Sequence, residues 1–150
     1  EDPLIMGSLY LAFGHARLSK KQLMEAQKCF ESALKIRIER LGKDHESTAR
    51  ASRSLGITKY MNKSYGEARI YLEDFVRVME AHQAVDDIHY VLALQLLGEV
   101  NLAESRGVEA KQCWTKAKNT IDECPDIDES TPELGEMIAF RMEKTQTQVQ

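Results

Sequence analysis

The chain has 150 residues, 43% hydrophobic and 29% charged, enough apolar material to bury one core and too much for a disordered chain. Twenty basic and 24 acidic residues leave a net charge of −4 with no long block of one sign, which argues against nucleic acid as a partner. No apolar run approaches the roughly 18 residues of a membrane span, and the start Glu1-Asp2-Pro3-Leu4 lacks the features of a secretory signal.

Taken in chain order, Asp2-Pro3 reads as an N-cap followed by proline at the first helical position, which predicts a helix over 3–18. A second helix is expected over 22–41, where Leu23, Ala26, Phe30, Ala33, Leu34, Ile38 and Leu41 fall on one stripe. Gly42 is its stop signal, and Asp44 in the connector Leu41-Gly42-Lys43-Asp44-His45 is the expected cap of the next helix. Helices follow over 46–62, 65–82, 88–104 and 107–123, with 83–87 and 125–128 read as connectors. Thr131-Pro132 opens a last helix over 132–147. Nowhere do apolar and polar residues alternate long enough for a strand, so the fold class is all-α.

Aligned against itself, the chain shows a 42-residue period. Gly14, Gly56 and Gly98 form one column and Ala26, Ala68 and Ala110 another. Phe13, Leu55 and Leu97 precede the glycines, Glu25, Glu67 and Glu109 precede the alanines, and Phe30, Leu72 and Trp114 stand four residues beyond them. Small residues let two helices of a hairpin approach closely, and large apolar ones close the gap above and below. A bulky side chain at Gly56 is therefore expected to overpack the hairpin. The column divides the chain into repeats over 3–44, 45–86 and 87–128 with a terminal helix over 131–148. Cys29 and Cys113 share one repeat position and read as small packing residues, and three scattered cysteines make no disulfide framework. The column glutamates fall in the first turns of second helices, where they face solvent.

Tyr10-x-x-Phe13-Gly14 with Ala26-x-x-x-Phe30, and Leu94-x-x-Leu97-Gly98 with Ala110-x-x-x-Trp114, resemble the tetratricopeptide repeat. The period exceeds the usual length of about 34 residues, through a second helix longer by about two turns. The 42-residue unit, Ala33-Leu34-Lys35-Ile36 and the Leu-Gly-Lys-Asp-His connector resemble the repeats of kinesin light chain-like proteins. The resemblance implies a right-handed α-solenoid of about three and a half repeats and seven helices. It also implies a cytoplasmic, non-catalytic module that binds other proteins. Because residue 1 begins in mid-pattern, a fragment of a longer array is expected.

In such a solenoid the first helices line the concave face. Helical geometry places Leu11, His15 and Leu18, then Arg53, Ile57 and Tyr60, then Gln95, Glu99 and Leu102 on a common stripe about 130° from the packed side. Ser8, Arg50 and Leu92 extend it, and the last helix would add Leu134, Met137, Arg141 and Lys144. Apolar residues beside Arg50 and Arg53 suit a peptide or helix with an apolar anchor and an acidic group, although arginines on a solvated helix face would look the same. The clamp that holds the acidic C-terminal tails of chaperones would need lysine, asparagine and arginine at Leu11, His15, Ser54, Leu92 and Leu96, so such tails are not expected as partners. His82, Asp86, Asp87 and His89 straddle a connector and lack the spacing of a metal motif, and no phosphate-cradling loop, nucleophile elbow or dinucleotide fingerprint occurs. No cofactor, metal or enzyme activity is expected. Two other roles fit the same repeat: a structural subunit assembling through its outer face or its ends, and a regulatory module of a multidomain protein.

Overall fold

The computed structural model describes residues 2–148, with side chains through Gln146. Eight helices lie among them: α1 (Pro3–Ser19), α2 (Leu23–Leu41), α3 (Glu46–Met61), α4 (Tyr65–Ala81), α5 (Ile88–Ala103), α6 (Gly107–Glu123), α7 (Pro125–Ser130) and α8 (Pro132–Gln148). The chain is all-α and built of paired helices, α1 with α2, α3 with α4 and α5 with α6. They belong to two compact units, Glu1–His82 with the first two pairs and Gln83–Gln150 with the third pair, α7 and α8.

The glycine column is where each pair closes. A Cβ on Gly14 would stand 2.5 Å from Phe30 Cε1, one on Gly56 would stand 2.9 Å from Leu72 Cγ, and one on Gly98 would collide with Trp114 Nε1. In each hairpin, therefore, the residue sixteen positions after the glycine lies over it. Phe30, Leu72 and Trp114 are fully buried, as are Ala26, Ala68 and Ala110 one turn earlier. Trp114 is further fixed by donating its indole N–H to the Gln95 carbonyl at 3.2 Å.

The turns inside the hairpins also repeat every 42 residues. Lys21, Lys63 and Ser105 hold positive φ values of 58°, 60° and 61°. Around the first, Lys21 N–H donates to the Leu18 carbonyl and Gln22 N–H to the Arg17 carbonyl, both at 2.9 Å. The same pair of bonds recurs at Lys63–Ser64 and Ser105–Arg106. This is the Schellman arrangement, which satisfies the last carbonyls of a helix. Here it delivers the chain directly into the next helix, since Gln22, Ser64 and Arg106 are already the N-caps of α2, α4 and α6. None of these caps accepts a side-chain hydrogen bond from a backbone N–H of the helix; Glu25, Glu67 and Glu109 instead place a carboxylate in each first turn.

The connectors depart from expectation at two places. The cap of α3 is His45, whose Nδ1 accepts from Ser47 N–H at 3.1 Å, and not Asp44. Asp44 faces α4 instead: its carboxylate meets Arg77 at 3.0 Å, and its carbonyl lies 2.7 Å from His82 Nε2. The cap lies one residue beyond the aspartate column, and Asp87 caps α5 at the same repeat position as His45. The second departure is α7, an eighth helix within a stretch read as a connector. Pro125 occupies its first turn, Asp126 and Asp128 favour its N-terminal end, and Ile127 is buried as its anchor. Cys29 and Cys113 are half-buried and not fully enclosed; Cys113 Sγ accepts from Asn101 Nδ2.

Alanine at Gly98 should cost up to about 2 kcal/mol, because overpacking at the upper end of ~1–3 kcal/mol outweighs the ~1 kcal/mol helix-propensity gain over glycine. At Gly56, where Leu72 can shift more easily than an indole, the net change should lie near zero; chemical denaturation of the two variants checks the order. Glycine at Lys63 should stabilise the chain by about 1 kcal/mol, since a side chain in the left-handed region costs ~1–2 kcal/mol. A lower melting temperature for Lys63→Gly would contradict that turn geometry.

Candidate partner-binding surface

In the first unit, α3 is enclosed on almost every side. Thr48, Ala49, Ala51, Ser52, Ser54, Leu55, Gly56 and Thr58 are buried, while Arg50, Arg53, Ile57 and Tyr60 stay partly open. Those four share one stripe at helical spacing. The Arg53 guanidinium lies 5.8 Å from the centre of the Phe75 ring, a cation–π contact with a residue of α4. Tyr60 lies 5.8 Å from the Tyr65 ring across the hairpin turn.

On α1, Leu11 and Leu18 are half-buried against Ala26, Phe30 and Leu55, so much of their surface serves the core. His15 sits edge-on to Phe30 at 5.0 Å, and its Nε2 is 3.3 Å from Ser54 Oγ. Burial, and then the neighbouring Arg53 charge, hold the His15 pKa below its usual 6.5. Ser8 is exposed.

In the second unit, α5 buries Tyr90, Val91, Ala93, Leu94, Leu97, Gly98, Val100 and Asn101, and leaves Leu92, Gln95, Glu99 and Leu102 partly or wholly open. Glu99 is engaged within the protein: Arg141 Nε of α8 meets it at 2.8 Å, and Gln95 Nε2 donates to it at 3.3 Å. On α8, Lys144 lies over the Phe140 ring at 4.6 Å and Met137 is exposed. Leu134 is buried and belongs to the core instead of the open stripe. The sequence reading did not pair Glu99 with Arg141, although opposite charges 42 residues apart in one repeat column were the available signal.

Among the described residues, no group of three or more His, Cys, Asp or Glu side chains converges as a metal site, and no helix is long and apolar enough to cross a membrane. His82 is taken up by the Asp44 carbonyl, and Asp87 by the His89 N–H of the α5 cap.

The tetratricopeptide repeat family model matches residues 6–81, just over half of the chain. The chain belongs to the tetratricopeptide repeat family. No curated protein matches it in sequence. Among solved structures, this tetratricopeptide chain is similar to BtubC (BKLC) of P. vanneervenii, with a TM-score of 0.72 at 13% identity over 99% of this chain and 66% of that one. It is also similar to two structures of a candidate kinesin light chain of Podosopora anserina with nearly identical TPR-like repeats. One gives a TM-score of 0.72 at 18% identity, covering 97% of this chain and 71% of that one. The other gives 0.68 at 14%, covering 96% and 76%. At these identities the likeness is one of fold. The chain spans about two thirds of the BtubC chain.

The depressed His15 pKa has a signed consequence. The unfolded chain takes up this proton before the folded one, so stability present above about pH 6.5 is lost progressively as pH falls below it. Urea titrations at pH 7.5 and 5.5 should show a larger acid loss for the native chain than for His15→Gln. Equal losses would mean that the folded site does not disfavour the imidazolium.

Proposed function

We propose that this tetratricopeptide chain is a non-catalytic interaction module that takes a partner peptide or helix along the open stripe of its first helices. The fold is one generally used for protein–protein interaction. The observation that carries the finer reading is the pattern on α3, where Arg50, Arg53, Ile57 and Tyr60 stay partly open along one stripe while positions 51, 52, 54–56 and 58 between them are buried. Two guanidinium groups beside an aliphatic and an aromatic side chain form a surface for a segment carrying an acidic group and an apolar anchor. The α5 stripe, with Leu92 and Leu102 around a Glu99 already engaged by Arg141, contributes apolar contact more than charge. Holding Arg53 against Phe75 lowers the entropy lost when a carboxylate is bound.

The experiment is affinity capture on the immobilised chain, with captured proteins quantified by mass spectrometry, comparing the native chain with Arg50→Glu and with Arg53→Glu combined with Tyr60→Ala. Charge reversal should reduce specific capture at least tenfold while far-ultraviolet ellipticity stays unchanged. Capture that survives both variants in folded protein would refute the stripe as the binding surface.

A further inference from the structure

The face of α1 opposite its glycines exposes three large apolar side chains. Ile5, Leu9 and Phe13 are 60%, 45% and 59% exposed, and Ala12 and Ala16 on the same face are exposed too. Residues 3–16 contain no Asp, Glu, Lys or Arg. Depletion of charge around exposed large side chains marks an interface and not a solvated face. The repeat says the same. Leu9 and Phe13 occupy the columns of Ala51 and Leu55, which are completely buried, and of Ala93 and Leu97, which are nearly so.

The residues on this face differ from those of an inner repeat. At the α2–α3 seam, Arg37 donates to the Ser47 carbonyl at 2.5 Å, Thr48 Oγ1 donates to the Arg37 carbonyl at 3.4 Å, and the small Ala51 allows close approach. In α1 the corresponding residues are Ile5, Met6 and Leu9, which lack the hydroxyl and fill the space that alanine leaves. A helix packed as α2 packs on α3 would be overfilled at Leu9.

What does match this face is the face itself, reversed. Ile5 and Leu9 stand across the helix midpoint from the small residues Ala16 and Ala12, and Phe13 at the margin of the face stands across from Ser8. We infer that α1 pairs antiparallel with α1 of a second copy of this chain, with Leu9 of each copy seated on Ala12 of the other and Ile5 on Ala16. The two-fold axis brings the Asp2 end of one helix to the Lys20–Lys21 end of the other, so charges and helix dipoles both run in the favourable sense. One 17-residue helix per copy buries less than the roughly 800 Å² per partner of a standard interface. The dimer is therefore weak and concentration-dependent, and it leaves the α3 stripe uninvolved.

Sedimentation equilibrium of the 150-residue chain from about 1 to 500 μM tests this, with ellipticity as the check on folding. A monomer–dimer equilibrium is expected within that range, weakened at least tenfold by Leu9→Lys. Ala12→Leu is the discriminating variant. It adds apolar surface, so it would strengthen association through an unspecific patch, but it must weaken a pair in which Leu9 needs the space above Ala12. Monomer at every concentration, assembly beyond the dimer, or tighter association of Ala12→Leu would each overturn the proposal; the first would leave the face to another helix.

Discussion

Each hairpin rests on a missing side chain. Where Gly14, Gly56 and Gly98 present bare backbone, the second helix brings Phe30, Leu72 or Trp114 into the space a Cβ would need. That approach sets how near the two helices lie and seats the buried alanines Ala26, Ala68 and Ala110. The three closures differ in rigidity: an indole tied to a backbone carbonyl, a phenyl ring wedged against an imidazole, and a leucine free to adjust.

Close packing on the glycine side, together with stacking of α2 on α3, explains why the surface on offer is so narrow. A helix enclosed by its hairpin partner and by the neighbouring hairpin has one stripe left, and on α3 that stripe carries two arginines. The same geometry accounts for His15, which lies between α1 and α3 because the α1 face beside Phe30 meets Ser54. Its depressed basicity reflects this packed seam and the Arg53 charge beside it.

Helix positions and the closing contacts were legible in the sequence because they depend on residue size at fixed spacing, and size survives in the columns even where identity changes, as from Phe30 to Leu72 to Trp114. The turns were not. Lys21, Lys63 and Ser105 adopt a conformation that usually announces itself through glycine, and three unlike polar residues give no such sign. The cap of α3 was misplaced because an aspartate column looked sufficient, whereas the nitrogen of the next residue, a histidine, accepts the bond. The short α7 was hidden by its length, since six residues carry too little periodicity to separate a helix from a loop. For the open stripe, spacing indicated which positions escape burial on α3 and α5, but the Glu99–Arg141 pair required knowing how α8 lies beside α5.

The chain contains a single tryptophan, and the fold has made it the closing residue of one particular hairpin. Its indole is wholly sheltered from water and bonded to a carbonyl of α5. Fluorescence from this ring therefore reports the joining of α5 to α6 and little else, whereas ellipticity averages over all the helices. Recorded together, the two signals resolve the opening of the third hairpin from the melting of the rest, without any label being introduced.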